Sequence, residues 1–232
     1  MKTYIIRLKE NNFSCNLAEE TMVSCNNLNI NAKFFDGIRI TDIKDLSRFY
    51  LKVNNNQKHI TLGTIGCFLS HWSLWKKCSE DLESYLILEH DALVLKDPKI
   101  IDMDIKEVCH LDAFIPFNSN LPSDSEEHFL KYNQNVKIEK NGVSEYPINS
   151  FYPKDKLTET IGTFSFRGAY GYILKPKGAK KLIEFCNQFG VMPADRAICD
   201  KILYLQRTNS TYVRLNPFFK SLKIQRDYST RT

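Results

Sequence analysis

The sequence predicts an α/β domain with a mostly parallel sheet flanked by helices, and three observations carry that prediction. Short apolar runs alternate along the chain with longer stretches whose apolar residues recur at helical spacing, the order that builds strand, helix, strand crossovers. The run Tyr85-Leu86-Ile87-Leu88 is apolar throughout, as a strand must be when helices cover both faces of its sheet. No internal repeat, low-complexity tract or linker divides the 232 residues, a length that a single domain over 1–232 fills with a sizeable core.

Thr3 to Leu8 reads as the first buried strand, a polar helical stretch follows around Asn16 to Cys25, and a second strand near Ala32 to Phe35 ends at the Asp36-Gly37 turn. Such a parallel crossover is right-handed. Asp42 to Ile60 is polar, with Asn54-Asn55-Asn56 as an exposed loop. Ile65, Phe68, Leu69, Trp72 and Trp75 then predict an amphipathic helix over Ile65 to Cys78, its aromatic stripe suiting a core better than a ligand platform. The Tyr85 strand completes a second parallel unit. Asp112 to Phe117 is a further strand candidate. Asn118 to Ile161, with scattered prolines and charges and no sustained period, reads as a long loop region of the kind that forms lids or acceptor sites. Strand character returns over Phe164 to Leu174, with Gly168 and Gly171 interleaved. Pro176 to Phe189 is a helix stopped by Gly190, with apolar positions at Ala179, Leu182, Ile183, Cys186 and Phe189. Another helix is expected from near Pro193 through Ile198, Ile202 and Leu203, and Thr211 to Leu215 closes the regular structure.

Composition narrows the classes of partner. Apolar residues make up 43% and charged residues 25%, ordinary for a globular protein. The net charge of +5, from 32 basic and 27 acidic residues, permits attraction to a polyanion without requiring one. Seven cysteines, an odd number with no Cys-x-x-Cys pair, read as reduced thiols in a cytosolic protein, with no zinc cluster expected. Arg7 interrupts the first apolar run, so neither a signal peptide nor a transmembrane helix is expected.

The chemistry concentrates where the Tyr85 strand ends, at Glu89-His90-Asp91. Ligands of parallel sheets gather at the carboxyl ends of strands. If the extended geometry persists, Glu89 and Asp91 leave the same face and His90 the other. Two hard oxygen ligands there suit Mg²⁺ or Mn²⁺ held against a substrate diphosphate, while a solvated acidic turn is the plainer alternative.

Several segments in a fixed order then carry a family resemblance. Phe35-Asp36-Gly37, the run Leu62-Gly63-Thr64-Ile65-Gly66-Cys67-Phe68-Leu69-Ser70-His71 with Leu74-Trp75, and Leu86 to Asp91 resemble the first half of glycosyltransferase family 25. Gly168-Ala169-Tyr170-Gly171-Tyr172, Gly178-Ala179-Lys180-Lys181-Leu182 and Pro193-Ala194-Asp195 resemble its second half, and Gln225 and Ser229 its tail. The resemblance implies a GT-A-like fold, with the first half forming the nucleotide-sugar and metal site and residues 118–232 supplying acceptor-side elements. It also implies inverting transfer of a sugar, often galactose from UDP-galactose, to a hydroxyl.

On that footing Asp91 is the expected metal ligand, and Glu89 binds the ion, a bound water or the donor. Gly168 lets backbone approach the donor sugar or relieves strand crowding. His71 contacts the donor or is a buried, hydrogen-bonded helix histidine. Asp195 is the candidate catalytic base, with helix capping as its alternative. Two positions depart from the family: His90 replaces the middle acid of Glu-Asp-Asp, and the usual Asp-Arg after the first strand is not evident in Leu8-Lys9-Glu10-Asn11-Asn12. The expected partners are a nucleotide-sugar donor and a saccharide acceptor of a bacterial surface oligosaccharide, lipid-linked among the options, with a cytoplasmic or membrane-peripheral location. Two alternatives remain open. One is phage-type modification of hydroxymethylated DNA bases, compatible with Lys220, Lys223, Arg226 and Arg231 but supported by no duplex-reading motif. The other is a non-catalytic saccharide- or nucleotide-binding relative.

Overall fold

The computed structural model describes residues 1–51, 60–112, 142–145, 166 and 168–216. The first crossover runs β1 (Lys2–Arg7), α1 (Asn12–Asn26), β2 (Ala32–Asp36), and α2 (Leu62–Asp81) then leads into β3 (Tyr85–Glu89). β4 (Ala92–Val94), β5 (Val108–His110), β6 (Val143–Glu145) and β7 (Gly171–Leu174) follow, then α3 (Pro176–Phe189), the single turn α4 (Ala194–Ala197), β8 (Leu205–Thr208) and β9 (Val213–Leu215). Seven strands form one sheet in the order β2-β1-β3-β7-β5-β8-β6, and β4 and β9 pair separately. The β1–β2, β1–β3 and β5–β8 pairs are parallel, while β7 and β6 run against their neighbours. Five of the seven strands therefore point one way, and β7 is the reversed strand at the centre.

Alternation along β3 explains its uninterrupted apolar sequence. Tyr85 and Ile87 enter one core with α2 and α3, while Leu86 and Leu88 enter a second core on the opposite face with α1, β4 and β9. All four side chains are fully buried, each a contribution of about 1.5–3 kcal/mol. α1 begins where Asn11 accepts a hydrogen bond from the Ser14 amide at 2.9 Å, and Thr61 caps α2 by accepting from the Thr64 amide at 3.1 Å. Pro176 opens α3 and Gly190, at φ +82°, closes it.

The structure departs from the sequence reading in definite places. The regular strand lies at Val108–His110, before Asp112, and residues 113–117 lie outside the described set. Within the long region over 118–161 only 142–145 are described, and they contribute β6. The helix after Pro193 stops at Ala197 because Ile198 turns out of helical geometry, at ψ 86°, and its carbonyl accepts from the Phe166 amide at 3.0 Å. β8 was invisible as a strand because Gln206 and Arg207 are polar yet buried. The Gln206 side chain accepts from the Lys106 amide at 2.7 Å and donates to the Asp104 carbonyl at 3.2 Å. The Lys220 to Arg231 basic cluster and the tail positions Gln225 and Ser229 fall outside the described residues.

One buried acid clamps α3 to the sheet. Glu107 is 3% exposed and accepts from Lys181 at 2.7 Å and from the Tyr204 amide at 2.8 Å, with Lys177 at 3.1 Å. Burial opposes its ionisation, but these partners win and hold its pKa below the ordinary carboxylate value. Its stabilisation is therefore present above the unfolded pKa and lost as pH falls through the depressed folded one. Glu107→Gln is expected to cost about 1–3 kcal/mol at neutral pH. In urea titrations the gap from wild type should close as pH falls below the ordinary carboxylate range, and a constant gap would contradict the assignment.

Candidate active site

The carboxyl ends of β1, β2 and β3 lie side by side, with Arg7 paired to Asp36 and Ile6 to Glu89. At that edge α2 and the Asp36-Gly37-Ile38 turn are locked together. The Ser70 hydroxyl accepts from the Ile38 amide at 2.8 Å and donates to the Gly66 carbonyl at 2.7 Å, while Gly66 gives the Ile38 carbonyl room to lie on the helix. Two of the sequence segments that stood apart in the chain are thus one packing unit.

Glu89 ends β3, and its amide donates to the Tyr170 carbonyl at 2.9 Å. Its Oε1 lies 3.0 Å from His71 Nε2 and 3.9 Å from Cys67 Sγ. Cys67 and His71 sit one turn apart on α2, so a sulfur, a nitrogen and a carboxylate oxygen all fall within 4.8 Å of one another. His71 is fully buried, its Nδ1 2.8 Å from the Tyr172 hydroxyl, which accepts from Trp75 Nε1 at 2.7 Å. With both ring nitrogens engaged by protein groups, His71 has the geometry of the buried helix histidine.

Beyond Glu89 the chain does not stay extended. His90 and Asp91 form a turn, and the Thr21 hydroxyl of α1 lies 2.8 Å from the His90 carbonyl and 2.7 Å from that of Ala92. The simple two-residue alternation of Glu89 and Asp91 therefore fails, yet their carboxyls still feel one another. Asp91 is 7% exposed, and burial, reinforced by the Glu89 charge, pushes its pKa up to about 8. Its Oδ1 has no hydrogen-bond partner among the described residues. Burial keeps His90 below its usual pKa, so the position that departs from the Glu-Asp-Asp pattern brings no counter-charge at neutral pH.

Burial also pushes the Cys67 thiol well up, with the charges of Glu89, Asp195 and Asp91 adding to it in that order. One electrostatic environment therefore contains all three carboxylates singled out in the sequence. Gly168 adopts φ +84°, a left-handed conformation that favours glycine, and its amide donates to Asp195 Oδ2 at 3.2 Å. Asp195 lies in the first turn of α4, where the capping alternative placed it, and also reaches across to this loop. Gly171 serves packing: an added Cβ would sit 2.5 Å from Val213 Cγ1.

Cys67, Trp75, Tyr172 and Asp112 were not picked out as site residues in the sequence. The i, i+4 spacing of Cys67 and His71 was a usable signal, as was the second tyrosine of the Gly168 to Tyr172 segment. Asp112 follows β5 as Glu89 ends β3. It accepts from the Tyr170 hydroxyl at 2.6 Å and the Thr211 hydroxyl at 3.1 Å, which ties β7 to the approach to β9.

The donor set fits a hard divalent cation. A carboxylate buried with an orphaned oxygen and raised by its neighbour's charge is destabilised until a positive charge arrives, and oxygen ligands of this kind suit Mg²⁺ or Mn²⁺.

Comparison with known proteins agrees with these segments. Residues 1–198 match the sequence profile of glycosyltransferase family 25 (LPS biosynthesis protein). A procollagen lysyl hydroxylase and glycosyltransferase of Acanthamoeba polyphaga mimivirus is 24% identical over 204 residues, covering 85% of this chain and 21% of that protein. The lipooligosaccharide biosynthesis protein lic2B of Haemophilus influenzae is 41% identical over 69 residues, 28% of this chain and 25% of the relative. The matches thus span only a fifth to a quarter of these relatives' lengths. Among solved structures, an active-site mutant of LgtC gives a TM-score of 0.41 at 14% identity over 89% of this chain and 72% of that one. The galactosyltransferase LgtC with donor and acceptor sugar analogues gives 0.39 at 12%, over 89% and 73%. No helix among the described residues is long and apolar enough to cross a membrane. With the profile running from β1 through α4, and so across Glu89, Asp91, Gly168 and Asp195, the chain belongs to glycosyltransferase family 25.

Proposed function

We propose that this chain is an inverting glycosyltransferase that moves a sugar, galactose being the first candidate, from a nucleoside diphosphate to an acceptor hydroxyl. The observation that carries the reading is the buried Asp91 carboxylate, whose Oδ1 has no partner among the described residues and which feels the Glu89 charge, at the sheet end where α/β folds bind ligands. Glu89 and Asp91 would hold a Mn²⁺ or Mg²⁺ ion there. When bound, such an ion neutralises the charge developing on a departing diphosphate. Gly168 offers close backbone approach to the sugar, and Asp195, which orients the Gly168 loop, is the candidate acceptor of the proton from the attacking hydroxyl. The name of the Haemophilus relative supports a surface-oligosaccharide acceptor, lipid-linked at a membrane surface, ahead of the DNA alternative.

The test is incubation with Mn²⁺ and a panel of nucleotide sugars, following release of nucleoside diphosphate with and without oligosaccharide. Release from one donor, stimulated by acceptor, is the expected result. Donor binding without release from any would leave a non-catalytic binding protein.

Asp195→Asn is expected to lower transfer at least about 100-fold, the lower end of the contribution of a general base, while slow donor hydrolysis continues. Full transfer with a lowered Tm would show that Asp195 only anchors the Gly168 loop.

A further inference from the structure

Three buried groups behind Glu89 form a hydrogen-bonded chain with one consistent direction. An indole N–H only donates, so Trp75 Nε1, 2.7 Å away, makes the Tyr172 oxygen an acceptor. Tyr172 keeps its own proton, since burial raises its pKa well above the usual value. That proton has His71 Nδ1, 2.8 Å away, to receive it. With Nδ1 as the acceptor, the ring proton sits on Nε2, aimed at Glu89 Oε1 3.0 Å away. Trp75, His71 and Tyr172 are all fully buried, which leaves no water to compete for these bonds.

We infer that Trp75, Tyr172 and His71 are a positioning relay that sets the tautomer of His71 and, through the His71–Glu89 hydrogen bond, the orientation of Glu89. The inference rests on the cation-holding role of Glu89 proposed above and assigns His71 a place behind the ligand instead of on the donor. It also settles what the Cys67–His71–Glu89 triangle can do. By distance alone it suits a thiophilic ion such as Zn²⁺, but a proton on Nε2 directed at Glu89 occupies the position that a metal would need. The buried acid-facing histidine is a device for ligand orientation of the kind found outside many metal centres.

Two measurements on the full chain test it. Nitrogen-15 shifts of the labelled, metal-free protein, with His71 assigned by the signals lost in H71Q, should show the proton on Nε2 and Nδ1 bare. An Nδ1–H or doubly protonated ring overturns the relay. Mn²⁺ affinity of the metal-free protein, read by electron paramagnetic resonance, should fall about tenfold in His71→Asn, whose short amide reaches Tyr172 but not Glu89. His71→Gln, whose longer amide reaches the Nε2 position, should stay within about threefold of wild type. Equal Mn²⁺ affinity of wild type and a folded H71N, or an H71Q as weak as H71N, overturns the proposal. If the wild type binds no Mn²⁺, the cation reading of Glu89 and Asp91 falls. The tautomer then decides the relay alone, Nε2–H upholding it and Nδ1–H overturning it.

Discussion

Asp91→Asn is expected to lower kcat/KM for sugar transfer at least about 1,000-fold, the scale of losing a charged group that stabilises a transition state, while making the metal-free protein more stable. Both effects come from the same carboxylate. It is buried, one of its oxygens is orphaned, and burial together with Glu89 pushes its pKa up to about 8 from an ordinary value of 3.8. A raised carboxylate works against folding between those two values, and the cost grows as pH rises from the unfolded pKa to the folded one. The Tm advantage of the asparagine variant should therefore widen from about pH 4 to about pH 8 and then level off. Added Mn²⁺ should raise the Tm of wild type and leave the variant unmoved, because binding to the native state alone is what stabilises it. An inactive variant that is also less stable would mean that Asp91 is a structural acid, and an active one would remove it from the site.

Gly66→Ala is expected to destabilise by about 3 kcal/mol, the upper end for overpacking, with much of the expressed protein insoluble. A Cβ on Gly66 would lie far inside van der Waals contact with the Ile38 carbonyl oxygen, a backbone atom that cannot rotate away. The Ile38 amide is bound to Ser70 on the same helix, so relief would break that bond as well. Gly63, three residues earlier in the same motif, is the internal control. Among the described residues its added Cβ would meet only the Thr61 hydroxyl at 3.7 Å, and Gly63→Ala should gain about 0.5–1 kcal/mol from helix propensity. Denaturant midpoints of the two variants should move in opposite directions, and a common direction would refute the contact argument.

These two substitutions also show what the sequence made legible. The β3 strand, α2 and α3 were readable because burial writes itself as period: an unbroken apolar run for a strand covered on both faces, and a 3.6-residue stripe for the helices. Glu89 and Asp195 could be singled out as acids at a strand end and a helix start, but the sequence left a solvated turn and a helix cap open as their plainer uses. The Asp91 environment was not, since the turn at His90-Asp91 is set by Thr21, some seventy positions away, and no local pattern records that contact. β8 escaped for the opposite reason: Gln206 and Arg207 look like surface residues until their burial is known. His71 could be picked out but not assigned, because its role depends on Tyr172 and Trp75, which lie on separate elements.

The reversed strand β7 has a consequence for how the protein comes into being. Within the main sheet, β2-β1-β3 and β5-β8-β6 meet only through β7, which is synthesised more than eighty residues after β3. A nascent chain that has already made Glu89 and Asp91 thus lacks Tyr172 behind His71 and the Gly168 loop beside Asp195. Its two acids would wait, unsupported, until the last half of the polypeptide leaves the ribosome and wedges between the two strand groups. If the proposed donor site is right, competence to bind an activated sugar and completion of folding become the same event, and an unfinished chain would have no means of consuming that costly substrate.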